Sequence, residues 1–138
     1  MSVISLVLLL LVKFSLIYEL VAKETPLIAA LLISPVMARL LAINYMLITP
    51  YVSPGGLAAP IAPHRVKAAI YALTLLILAT LLLLTGPLIT VLTSLALCAW
   101  LYFWRRRWVK IMGGYTGDCV GALIEGAEVM TLLLMVLL

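Results

Sequence analysis

The chain reads as five runs of mainly apolar residues, separated by short polar breaks. A bilayer-spanning helix needs about 20 such residues, and the runs at Ser2–Ala22, Pro26–Ile48, Ala68–Thr85, Leu88–Trp104 and Cys119–Leu138 each come near that length. Lys23-Glu24-Thr25-Pro26 divides the first two, and Thr85-Gly86-Pro87 marks a tight hairpin between the third and fourth, because Gly and Pro interrupt a helix. With 67% hydrophobic and 10% charged residues, the chain falls outside the ordinary soluble class, where charged residues make up about a quarter. The expectation is one all-α, polytopic transmembrane domain over residues 1–138, with about five helices.

The first run is not a secretory signal. No basic residue precedes Lys13, the apolar run continues past it, and no small-residue cleavage pattern follows. The chain enters the membrane almost at Met1, which leads us to expect a further part upstream. Cys98 and Cys119 both fall in spans and make neither a disulfide framework nor a metal-ligand spacing. They read as small apolar residues.

Charge sets the orientation. The two longer breaks, Thr49–Lys67 and Arg105–Gly117, lie on one side of a five-span chain and carry Arg65, Lys67, Arg105, Arg106, Arg107 and Lys110, against Lys23 on the other side. The positive-inside rule makes the richer side cytoplasmic. Trp100, Tyr102, Trp104 and Trp108 then form an aromatic belt at the cytoplasmic interface. The net charge of +4 is confined to a few breaks and reports topology, not a nucleic-acid surface.

Lys13, Arg39, Glu125 and Glu128 fall deep inside the runs. At 1.5 Å per residue all four lie roughly 10 to 18 Å below the cytoplasmic surface. A buried charge needs a partner, so the two cations are expected to face the two glutamates, as helix glue or as part of a site. A guanidinium such as that of Arg39 suits bidentate phosphate contact. Glu19 lies near the outer face, where it can snorkel, and His64 sits in a polar break.

The stretch from Gly113 to Glu128 concentrates the chemistry. Gly113, Gly114 and Gly117 lack side chains, so backbone N–H groups can approach a ligand there, and Asp118 follows at the start of the last helix, whose positive end favours anions. Asp118 suits either a helix N-cap or a metal ligand. Asp118, Glu125 and Glu128 share one helical face by their spacing. Gly117, Gly121, Ala122 and Gly126 form small-xxx-small patterns of the kind that mark close helix packing.

The run Gly113-Gly114-Tyr115-Thr116-Gly117-Asp118-Cys119-Val120-Gly121-Ala122, with Glu125 and Glu128 after it, resembles the C-terminal signature of the cobalamin synthase family, the adenosylcobinamide-GDP ribazoletransferases. A Lys in an apolar helix, an Arg in the next helix ahead of Tyr45, and the Pro54–Leu57 turn containing Gly56 follow the family's order, with Ala58 where a second glycine is usual. The resemblance implies an enzyme of late cobalamin synthesis, set in the inner, cytoplasmic membrane, that joins α-ribazole or its 5′-phosphate to adenosylcobinamide-GDP and releases GMP, with Mg²⁺ as cofactor. It implies catalytic roles for Asp118, Lys13 and Arg39, and Asp118 as a metal ligand. Gly113, Gly114, Thr116, Gly117 and Gly56 would bind substrate, with Glu125, Glu128 and Gly121 supporting them.

Family members are longer and carry an aspartate-rich motif upstream, whereas Asp118 is the one Asp in this sequence. The chain is therefore expected to be a partial enzyme, impaired on its own. The alternatives are a non-catalytic membrane subunit or remnant that packs with a separate N-terminal half and, more remotely, a small transporter; the expected protein partner is that separate half or further copies in a homo-oligomer. No internal repeat of the transporter kind is visible.

Overall fold

The structure, a computed structural model, describes residues 3–23, 27–53 and 67–138. It is all-α, with α1 at Val3–Ala22, α2 at Leu27–Ile48, α3 at Lys67–Met112 and α4 at Gly117–Leu137. All four are long and apolar enough to cross a membrane. Helices suit these runs because hydrocarbon offers no partner for backbone N–H and C=O groups, so each run must satisfy its own. The hydroxyls inside them follow the same rule: Ser15, Thr74, Thr80, Thr85, Thr90 and Thr131 each donate to the carbonyl four residues back.

Helix α3 is not one rod. At Gly86 the backbone takes φ 82° and ψ 172°, a conformation that glycine adopts without a Cβ penalty, and Pro87 follows. A straight helix of 46 residues would be about 69 Å long, more than twice the hydrocarbon thickness. Instead the chain doubles back. Thr74, before the break, accepts a hydrogen bond from Asn44 near the C-terminal end of α2, and Arg105, after it, donates to the carbonyl of Ile48 at that same end. The break sits where the sequence places the Thr85-Gly86-Pro87 hairpin.

The second arm of α3 runs on to Met112, past the span end expected at Trp104. Arg105, Arg106, Arg107 and Lys110 therefore lie on helix and not in a loop. A charged run at the membrane surface has water for its side chains while its backbone keeps the helical ladder, so apolarity ends before the helix does. Trp100, Trp104 and Trp108 stack along this arm with ring centroids 5.3 and 5.8 Å apart.

The core lies between α2 and α4, which run antiparallel. Ile33, Met37, Leu40, Leu41 and Tyr45 of α2 pack with Leu123 and Ala127 of α4, Tyr115, and Leu81 and Leu97 from the two arms of α3. Burying each such side chain is worth about 1.5–3 kcal/mol against water, but in lipid the gain comes from close packing. Helix α1 joins through its second half, where Leu20 packs with Ala30 and Leu132, flanked by Leu16, Ile17, Met135 and Val136.

Candidate functional site

Lys13, Glu125, Glu128 and Arg39 meet. Lys13 Nζ lies 2.5 Å from Glu125 Oε2 and 2.6 Å from Glu128 Oε2, and Arg39 Nη1 lies 3.5 Å from Glu128 Oε1. Sequence order explains the convergence. Lys13 sits where α1 reaches α4, and Glu125 and Glu128, three residues apart, present to one side of α4. Arg39 faces them from α2. The depths also agree, at about 12 and 17 Å from the start of α4 for the two glutamates and about 14 Å from the end of α2 for Arg39.

The two cations differ in what remains free. The Lys13 side chain is 15% exposed and gripped by both carboxylates, so its charge is spoken for. The Arg39 side chain is 64% exposed. Its Nη1 donates to the carbonyl of Pro35 at 3.1 Å, but Nε and Nη2 have no partner among the described residues. A guanidinium offers five N–H donors in a planar fork, so most of this one points outward from the cluster. Ser34, buried on α2, donates to the backbone carbonyl of Glu128 at 3.0 Å and fixes α2 against α4 at this level. Sequence reasoning passed over Ser34; its one signal was a polar residue in an apolar run beside Pro35.

The glycine turn is built for close approach. Gly113, with φ 79°, ends α3, and its N–H bonds to the carbonyl of Val109. Gly114 is buried with its α-carbon against the carbonyl of Pro50 and the side chain of Val52, so a Cβ there would collide with backbone. Tyr115 pairs with the chain after α2: its N–H reaches the carbonyl of Pro50 at 2.9 Å, and its carbonyl accepts from Val52 at 3.1 Å. The N–H groups of Gly113 and Tyr115 thus serve the fold and are not free to hold a ligand. This pairing brings Pro50 and Val52, which follow α2, against Tyr115, which follows α3. Gly56, His64 and Arg65 lie outside the described residues.

Around the turn, the Tyr115 ring packs against Tyr51 and Tyr45 with centroids 5.2 and 5.7 Å away. Burial raises the Tyr115 phenol above its ordinary range, and Tyr51 beside it adds to the effect. The Tyr45 hydroxyl and Thr49 Oγ1 are buried here without a hydrogen-bond partner among the described residues.

Thr116, not Asp118, caps α4. Thr116 has extended backbone, and its hydroxyl accepts from the Cys119 N–H at 3.4 Å. Asp118 is left exposed in the first turn with no partner among the described residues. Gly117 and Gly121 are exposed too, and a Cβ at either would meet nothing within 4 Å. Among the described residues no helix lies against Gly117 or Gly121, so within these residues neither is a close-packing contact. The small-xxx-small reading holds for Gly126, where a Cβ would come within 2.6 Å of Trp100 Cζ2. Cys119 is buried as expected, whereas Cys98 is exposed.

Among the described residues no group of three or more His, Cys, Asp or Glu side chains is placed to hold a metal ion. Asp118 offers one carboxylate, and Glu125 and Glu128 are committed to cations. These residues do not by themselves make a magnesium site, which takes several oxygen ligands from carboxylates, phosphates or water.

A family model described as cobalamin-5-phosphate synthase matches residues 1–136. Among curated proteins, the chain is 38% identical over 132 residues to an adenosylcobinamide-GDP ribazoletransferase of Pseudomonas putida, covering 96% of this chain and 52% of that protein. It is 39% identical to that of Ectopseudomonas mendocina, covering 99% and 54%, and 36% identical to that of Pseudomonas savastanoi pv. phaseolicola, covering 99% and 55%. The chain spans about half the length of the curated relatives it matches. No solved structure matches it. The signature from Gly113 to Glu128 and a match along nearly the whole chain place this protein in the cobalamin-5-phosphate synthase family.

Proposed function

We propose that the chain forms part of an adenosylcobinamide-GDP ribazoletransferase, the activity named for its relatives. In this reaction a ribose hydroxyl of α-ribazole, or of its 5′-phosphate, forms a new bond to the corrinoid-bound phosphorus of the pyrophosphate. The bridging P–O bond breaks, GMP leaves with the bridging oxygen, and the hydroxyl proton is released. The transferred phosphoryl group carries charge throughout, so positioning and charge stabilisation dominate such chemistry.

The observation that carries this reading is the unequal state of the two cations. Lys13 is neutralised by Glu125 and Glu128 and holds the cluster together, while Arg39 keeps free donors fit for a pyrophosphate oxygen pair. Asp118 contributes one exposed carboxylate at the mouth. It would serve as one anchor of a Mg²⁺ whose other ligands come from substrate phosphates and from groups outside this chain. Gly117 and Gly121, near Asp118 in the first turns of α4, leave room for a ligand, while Thr116 holds the cap. Gly113 and Gly114 set the shape of the turn.

Five membrane passages are the natural reading of the broken α3, with the two arms each crossing once. The paired breaks after α2 and α3, with Arg105, Arg106, Arg107 and Lys110 beside them, then face the cytoplasm of an inner-membrane protein. One family model covering residues 1–136 supports a single domain.

The test is a full-length chimera in which this chain replaces the matching region of the Pseudomonas putida relative. Arg39→Ala should lower GMP release by about 10²–10³, the usual effect of removing one charge-stabilising donor, with Arg39→Lys between. Unchanged turnover in both would remove Arg39 from the site.

A further inference from the structure

The first half of helix α1 is mostly exposed. The second half packs on α4, but Ile4 to Leu8 and Leu10 to Val12 are exposed, as are Gly117, Asp118 and Gly121 on the neighbouring half of α4. These exposed residues border one uncovered flank that runs from the start of α4 down to the Lys13–Glu125–Glu128–Arg39 cluster. Apolar side chains on α1 can face lipid. Arg39 cannot do so cheaply, since a charged side chain within the hydrocarbon costs about 2.5–3.5 kcal/mol even on insertion scales. Glu125, 37% exposed, shares the problem.

We propose that this flank is the docking surface for a transmembrane segment from the part of the family's length that lies outside the match, and that this segment packs over the flank and shields Arg39 and Glu125 from lipid. Two observations choose this occupant: charged groups at a depth where lipid offers no partner, and relatives of which the chain covers 52 to 55%. The proposal rests on family membership and not on catalysis.

The test reads accessibility. In a Cys98→Ser background, Gly121→Cys adds a thiol where nothing lies within 4 Å. It should react readily with a small maleimide in the isolated chain in detergent, and severalfold more slowly in the full-length chimera. Equal reaction in both overturns the proposal. Protection already present in the isolated chain, with a dimeric mass by light scattering, also overturns it, because a second copy then covers the flank. Cys119, buried here, reports folding and should stay unreactive in both proteins. Gly121→Leu gives an independent reading. It should lower the melting temperature of the chimera and leave that of the isolated chain unchanged, and equal shifts would count against docking.

Discussion

Lys13 Nζ lies 2.6 Å from Oε2 of Glu128, joining the first helix to the last at membrane depth. The same nitrogen also holds Glu125, so one cation balances two carboxylates and the exposed Arg39 supplies the second positive charge. Lys13→Met should therefore be costly, because it leaves carboxylates uncompensated in a low-dielectric setting. The expected loss is about 3–5 kcal/mol, typical of breaking a buried pair from one side. Adding Glu125→Gln and Glu128→Gln to that variant should recover part of it, measured as melting temperature in detergent. No recovery would mean that the cluster is not what holds α1.

Much of this was legible from sequence, and for a physical reason. In hydrocarbon a charge without a partner is so unfavourable that residues at matched depth must find one another, and depth follows from counting at 1.5 Å per residue. The break at Gly86 was equally visible, because a glycine-proline pair within an apolar run leaves few alternatives. What sequence could not reveal was how neighbours divide a task. Asp118 and Thr116 are both good caps, and only the extended backbone at Thr116 decides between them. Gly117, Gly121 and Gly126 look alike in a small-residue pattern, yet Trp100 lies against only the last. That depends on where α3 returns, which no local pattern encodes.

The glycines give a sharp contrast. Gly126→Ala pushes a methyl into Trp100 and should cost about 1–3 kcal/mol, as overpacking does. Gly121→Ala meets open space and removes a helix-weakening glycine, so it should be neutral or stabilising by up to about 1 kcal/mol. Thermal melts of the two variants decide this, and equal effects would mean that Trp100 can swing aside.

Cap and site separate at the start of α4. Thr116→Ala should cost about 1 kcal/mol of stability through loss of the bond to the Cys119 N–H. Asp118→Asn should leave the melting temperature unchanged, since Asp118 caps nothing, but lower GMP release in the chimera by about a hundredfold or more, as loss of several kcal/mol of charge stabilisation implies. Activity within a few-fold of the parent would leave Asp118 without a role.

Orientation is open to direct labelling. Tyr115 is buried and a poor reporter, whereas Lys110 is exposed on the last turn of α3 and Ser53 is partly so beyond α2. Cysteines at Ser53 and Lys110, in a Cys98→Ser background, should resist a membrane-impermeant reagent in intact cells and react after lysis. Labelling from outside would turn the site away from cytosolic nucleotide.

The isolated chain should release no measurable GMP when supplied with adenosylcobinamide-GDP, α-ribazole 5′-phosphate and Mg²⁺ in detergent. Among the described residues the free carboxylate at the mouth is Asp118, and Glu125 and Glu128 lie about 12 and 17 Å along α4, already paired with cations. One exposed carboxylate holds Mg²⁺ weakly, and each 1.4 kcal/mol of unmet charge stabilisation slows the reaction about tenfold. The chimera supplies the rest of the family's length and should restore turnover, so the two proteins assayed side by side isolate what this half lacks. Turnover by the isolated chain near that of the chimera would show that Arg39, Asp118 and the residues around them suffice, and that the open flank beside Gly121 needs no partner for chemistry.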